Sequence, residues 1–434
     1  MRVVASSGLV VALLVAGCAG EGGAAGPNAA RDTLGRALVL TGGQPVASDP
    51  TKAARAAGLF KEACDGGEPT ACAYYGMVLE AGAGGVARDP AQALALFQRS
   101  CDGGFALACP EAGARLERGA GGKRDYAAAA HAYEIGCAAH LPAACTALGV
   151  LLEAGLGVPA DLPRAVALHK GACEARSALG CTHFGALLQA GRGVPADVKR
   201  ARELHTLACS AAVATGCTNL GTLHEAGLGG SVDLPRAVEL YQQGCTGGDA
   251  QGCDALAGLY AQGLGVRADP ARAAELAQKA CDGGSASGCS NLGLLLDGGA
   301  GVPVDHARAA RLYQLACDGG AATGCHNLAI MLESGEGAPR DVPRAANLYQ
   351  EACDRGHAAS CHNLGLLYER RTFGLYEQAC EAGWAPSCVT YADGLLDGRG
   401  GKKNRVKAVE ELRHACKLGA EPGCARLKEL GEKP

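Results

Sequence analysis

The chain has 434 residues, with 66 glycines, 23 cysteines and a formal charge of −4. Lys and Arg (40) nearly balance Asp and Glu (44), and no basic run or basic–aromatic patch occurs, which argues against a nucleic-acid surface. Hydrophobic residues make up 48% but aromatics only 4%, so a core has to be built from Ala and Leu in closely packed helices.

At the start, Arg2 is the only charge before the apolar run from Leu9 to Val15. That run is too short to span a bilayer and has the form of a secretory signal. Val15-Ala16-Gly17-Cys18 resembles the lipobox of bacterial lipoproteins, which implies lipid on Cys18 and removal of residues 1–17. Residues 18–30, rich in Gly and Ala, then read as a flexible tether. Residues 31–64 read as an atypical capping hairpin, with Leu34-Gly35 in its first helix and Asp49-Pro50 opening its second.

The other 22 cysteines come in pairs with seven residues between. The pairs are Cys64 with Cys72, Cys101 with Cys109, Cys137 with Cys145, Cys173 with Cys181, Cys209 with Cys217 and Cys245 with Cys253. Further along come Cys281 with Cys289, Cys317 with Cys325, Cys353 with Cys361, Cys380 with Cys388 and Cys416 with Cys424. First cysteines recur every 36 residues from Cys101 to Cys353, a period that means a helical solenoid over residues 65–424. The constant spacing predicts a disulfide within each pair and hence an oxidising compartment. A metal is the competing use, but structural zinc sites favour pairs two to four residues apart.

One unit shows how each repeat folds: CHNLAIMLESGEGAPRDVPRAANLYQEAC, residues 325–353. Leu328, Met331 and Leu332 are spaced for a first helix, helix A, which a Gly-x-Gly turn at Gly335 and Gly337 ends. Asp341 is the predicted N-cap of helix B, as are Asp161, Asp197, Asp233, Asp269 and Asp305 in their repeats. Each cysteine pair then joins the end of one helix B to the start of the next helix A. Residues 425–434 read as a C-terminal cap and tail, and hairpin 361–380 is nine residues short, with a local change of curvature expected there.

Leu-Gly in helix A, the Gly-x-Gly turn, the Asp, the Arg-Ala of helix B and the Ala-Cys-x-x-Gly ending resemble Sel-one-like repeats over about residues 58–428. The cysteine-bridged form is similar to the Helicobacter cysteine-rich protein family. The resemblance implies an all-α, right-handed superhelical solenoid of αα-hairpins related to tetratricopeptide arrays. It also brings an alternative activity, penicillin binding or weak β-lactamase-type hydrolysis.

No enzyme motif supports that alternative. Ser-x-x-Lys, Lys-Thr-Gly and Gly-x-Ser-x-Gly do not occur, and His224-Glu225 lacks the second zinc-protease histidine, position 228 being Leu. No catalytic residue, cofactor or metal is therefore expected.

The polar residues that recur lie on helix A. Two positions after the second cysteine stand Asn219, Asn291, Asn327 and Asn363; one position after it stand Thr146, Thr182, Thr218, Asp254, Ser290, His326 and His362. Eight positions after it stand acids such as Glu333 and Glu369. Positions one, five and eight share a helix face, opposite the leucines at three and seven. In the similar tetratricopeptide array that face lines the concave groove. The expected function is thus a non-enzymatic, monomeric scaffold of the bacterial envelope, anchored through its lipid or secreted. It would hold a protein or peptide along Asn219, Asn291, Asn327, Asn363, His326, His362, Glu333 and Glu369. The single Trp384 is expected to pack within its cysteine loop.

Overall fold

A computed structural model describes residues 27–367, 373–398 and 403–433. Among these residues there are 23 α-helices and no strand. They fall into two units, the first ending at Ala211 and the second beginning at Ala212. The first unit holds α1 (Pro27–Thr41), α2 (Pro50–Asp65), α3 (Pro69–Ala81), α4 (Pro90–Asp102), α5 (Ala108–Arg118), α6 (Tyr126–Ala138), α7 (Pro142–Ala154), α8 (Leu162–Glu174), α9 (Ala178–Ala190) and α10 (Val198–Ser210). The second holds α11 (Ala214–Glu225), α12 (Leu234–Thr246), α13 (Ala250–Gln262), α14 (Pro270–Asp282), α15 (Ala286–Gly298), α16 (His306–Asp318), α17 (Ala322–Ser334), α18 (Val342–Asp354), α19 (Ala358–Leu367), α20 (Phe373–Glu381), α21 (Ala385–Asp397), α22 (Arg405–Lys417) and α23 (Glu421–Glu429). The lipobox and Cys18 lie outside the described residues. Helix α1 starts at Pro27, so the last residues of the stretch read as a tether are already helical.

Each odd helix packs antiparallel on the even helix that follows it, and each even helix of a unit packs on the next odd one. Asp161, Asp197, Asp233, Asp269, Asp305 and Asp341 all cap their helices, each side chain accepting from the N–H three residues on. Such a cap satisfies a donor that the helix leaves orphaned and contributes about 1 kcal/mol. Most helices A end on a left-handed glycine, as at Gly335 (φ 83°). Two residues on, Gly337 has φ 72°, and a Cβ there would lie 2.3 Å from the carbonyl oxygen of His306, at the start of the preceding helix B. The turn can therefore approach its neighbour only as glycine.

The core is Ala and Leu from both helices, completed by a large ring at one position of helix B. Tyr241, Tyr313 and Tyr349 are each buried there, and Tyr313 lies against Gly293 of its own hairpin. A side chain at Gly293 would collide with that ring, which explains the small residue after the first leucine of helix A.

Ten cysteine pairs lie within one unit or the other, and each is bridged as the spacing predicts. In the first unit Cys64 is bonded to Cys72, Cys101 to Cys109, Cys137 to Cys145 and Cys173 to Cys181. In the second, Cys245 is bonded to Cys253, Cys281 to Cys289, Cys317 to Cys325, Cys353 to Cys361, Cys380 to Cys388 and Cys416 to Cys424. Every one joins the last turn of a helix B to the first turn of the next helix A. Cys209 of α10 belongs to the first unit and Cys217 of α11 to the second. The many bridges fit an oxidising environment outside the cytoplasm. No helix among the described residues is long and apolar enough to cross a membrane.

Through the short hairpin, α19 packs on α18 and α20, and α20 on α21, so helix stacking continues across it. Residues 368–372 of that hairpin lie outside the described residues. Trp384, expected to pack, is 39% exposed at the start of α21.

Candidate functional site

Within each unit, helices A of successive hairpins also touch one another: α5 with α7, α7 with α9, α11 with α13, α13 with α15 and α15 with α17. Helices B of successive hairpins come together less, α4 with α6 being the clearest pair. The row whose members approach more closely lies on the inside of a curve, so helices A form the inner face of each unit.

The side chains on that face are not arranged as the helical wheel alone suggests. Thr146, Thr182, Thr218 and Ser290, one position after Cys145, Cys181, Cys217 and Cys289, are buried, not lining a groove. Thr146 and Thr182 donate their hydroxyls to the carbonyls of Pro142 and Ala178 in their own helices. A hydroxyl satisfied in this way can sit between helices at little cost. Acids at position eight turn toward helix B of the same hairpin in several repeats, while Glu80 pairs with Arg115 of the next helix A. Tyr349 donates to Glu333 Oε2 at 2.9 Å and Tyr133 to Glu117 Oε2 at 3.0 Å. Burial, then the neighbouring carboxylate, pushes the Tyr349 phenol up from its ordinary value.

The asparagines divide into two kinds. Asn291 donates to Asp254 Oδ1 of the preceding helix A at 2.7 Å, and the Asn363 side chain lies beside the Tyr349 phenol. These two join neighbouring repeats. The amides of Asn219 and Asn327 are half-buried and have no hydrogen-bond partner among the described residues. Glu369 lies outside the described residues.

The two histidines sit between repeats and face serines. Ser360 Oγ is 2.8 Å from His326 Nδ1 and 2.9 Å from His357 Nδ1, and Ser387 Oγ is 2.7 Å from His362 Nδ1. A serine beside an imidazole is the pairing that an acyl-transfer nucleophile needs. Here both serines have no accessible surface, so a dissolved substrate does not reach them. Burial depresses both imidazoles, His326 to about 4, so they are neutral near pH 7.

The exposed centre of the inner face is position five, which polar patterning did not single out. In the second unit it carries Leu294, Ile330 and Leu366, 36 residues apart on α15, α17 and α19. They are 50%, 43% and 53% exposed. Scattered exposed leucines are normal on a protein surface; here three recur in repeat register on one face. The signal was present in the sequence as an apolar residue recurring at one repeat position. The structure thus brings together an apolar stripe beside the free Asn327 amide, while Glu333, His326, His362, Asn291 and Asn363 serve contacts between helices.

Several solved structures share this architecture. A protective antigen of uropathogenic Escherichia coli with an SLR fold is 26% identical over 86% of this chain and 82% of its own, with a TM-score of 0.55. A Sel1 repeat protein from Oxalobacter formigenes is 20% identical over 62% of this chain and 96% of its own, with a TM-score of 0.45. Cysteine-rich protein B of Helicobacter pylori is 26% identical over 31% of this chain and 96% of its own, with a TM-score of 0.27. No curated protein matches the sequence. The Sel1 repeat family matches residues 69–105, 106–139, 142–177, 173–213, 214–249, 250–285, 286–320, 322–357 and 389–419. The unmatched stretches longer than two residues are 1–68, 358–388, which contains the short hairpin, and 420–434. With well over half its length in such repeats, the chain belongs to the Sel1 repeat family.

Proposed function

We propose that the protein is a scaffold that holds an extended segment of a partner polypeptide along the inner face of its second unit. The observation that carries this reading is the stripe of Leu294, Ile330 and Leu366. Neighbouring packed helices lie about 8–10 Å apart. A polyproline-II segment advances about 9.3 Å in three residues, so an apolar side chain at every third position matches one repeat. Asn327, whose amide is free, can bond the peptide backbone beside the stripe. Because Glu333 is already engaged by Tyr349, apolar contact supplies most of the affinity and added salt changes it little.

Selection from a random-peptide library tests this. Peptides enriched on the protein should carry an apolar residue at every third position. Leu294→Asp, Ile330→Asp and Leu366→Asp together should abolish their binding with thermal stability nearly unchanged, because all three side chains are already exposed. Equal binding by the triple variant would place the docking surface elsewhere.

The second part of the reading is location. The sequence up to Cys18 supports a lipid anchor in a bacterial envelope, and the disulfides require an oxidising compartment. The Escherichia coli protein similar to this chain is a protective antigen, which is compatible with such a place. Cys18→Ser should move the protein from the membrane to the soluble fraction. A variant that stays membrane-bound with the same mobility would refute the anchor.

A further inference from the structure

The repeats offer an internal standard for reading one unusual cluster. In α17, α18 and α19, Glu333 faces Tyr349 of its own helix B, and Asn363 of the next helix A completes the group. The corresponding positions in α7, α8 and α9, at the same offsets along the chain, are Glu153, His169 and His183. The acid is kept, and both neutral partners have become imidazoles. We propose that Glu153, His169 and His183 form a binding site for a divalent first-row transition ion such as Zn²⁺.

The donor atoms of the three side chains lie within 4.8 Å of one another. His169 Nε2 is 2.8 Å from Glu153 Oε1, so an ion held tetrahedrally at about 2.1 Å would spread these two donors to about 3.4 Å. The ring centroids of His169 and His183 are 4.9 Å apart. Two imidazoles bound at about 2.1 Å to one ion have centroids about 5 Å apart, but the two rings stack with planes 15° apart, so the half-buried His183 must turn about its side-chain torsions before both lone pairs meet on one ion. Two imidazoles and one carboxylate are a borderline donor set that suits zinc, cobalt and nickel better than calcium or magnesium. Burial lowers both imidazoles below their ordinary value, so they are neutral near pH 7, and ion binding shifts to Nδ1 the proton that His169 Nε2 donates to Glu153. His169 has no accessible surface, while Glu153 keeps 17%, so the ion has an approach from the carboxylate side.

Two features limit the affinity. Ligation through Nε2 puts the remaining proton of His169 on Nδ1, which is buried with no hydrogen-bond partner. A ligating histidine without such a partner loses about 10–100-fold in affinity, so a dissociation constant on the order of micromolar is expected. Arg192 Nη1 also lies 3.8 Å from Glu153 Oε2 and competes for the carboxylate from a largely exposed position.

The test uses the untagged, fully oxidised protein. Zn²⁺ is titrated in competition with a fluorescent indicator, and Co²⁺ is followed by its ligand-field absorption. One equivalent should bind to the wild type. His183→Asn and His169→Tyr restore the residues of the α17–α19 group, and each should weaken binding by about tenfold or more without changing metal-free melting. Arg192→Ala should tighten binding several-fold. No uptake by the wild type, or equal uptake by the His183→Asn and His169→Tyr variants, would overturn the proposal.

Discussion

Removing one disulfide, by Cys281→Ala with Cys289→Ala, should loosen α14 and α15 and leave α21 and α22 of the same unit as protected as before. The bridge holds two helix ends whose Cα atoms are 4.5 Å apart and closes a loop between residues eight apart in sequence. In the chain-entropy description, closing so short a loop contributes about 2–3 kcal/mol. A solenoid repeat contacts only its neighbours, so that loss stays local. Amide hydrogen exchange in α14 and α15 should therefore accelerate by about a hundredfold, the factor that 2.7 kcal/mol represents by the rule of about 1.4 kcal/mol per decade. Uniform acceleration along the second unit would mean that its repeats unfold as one cooperative block.

Besides His169 of α8, acidification should act on the first unit through His205 of α10. This imidazole has no accessible surface, and neither ring nitrogen has a hydrogen-bond partner. Burial lowers its pKa from 6.5 to about 4. The unfolded chain therefore takes up a proton as the pH falls below 6.5, while the folded chain takes it up only near 4. Stability from this group is fully present above pH 6.5 and is lost as the pH falls toward 4. Linkage gives a loss of about 2 kcal/mol at pH 5, felt as faster exchange in α9 and α10. His326, also lowered to about 4 by burial, adds an effect of the same sign in the second unit. His205→Tyr installs the residue that other repeats carry and should remove the difference between pH 7 and pH 5 in α10. An unchanged pH profile in that variant would assign the acid sensitivity to other groups.

Much of the fold was legible because its determinants are local. An Asp before most helices B, a glycine after most helices A and a cysteine at each joint act within a few residues of chain. The buried leucines at positions three and seven, such as Leu292 and Leu296, were legible from helical spacing. The lining of the inner face was less so, because helix A touches its own helix B and the helices A on either side. Leu151, Leu187, Leu223 and Met331 at position six are buried as well, so little of the helix faces water. Small hydroxyl residues such as Thr146 vanish into those contacts because their own helix satisfies them. Likewise Glu333 reads as a groove carboxylate until Tyr349, 16 residues on, is seen to donate to it.

The reading of Leu294, Ile330 and Leu366 as a docking stripe is tested most directly by photo-crosslinking in living cells. A benzophenone side chain is placed at Ile330 on α17 and, as the control, at Leu315 on α16, which is 57% exposed on helix B. The expected result is a crosslink from position 330, and none from 315, to a partner segment with apolar residues at every third position. Crosslinks to partner protein from position 315 alone would put the contact on the outer helices and contradict the inner-face scaffold.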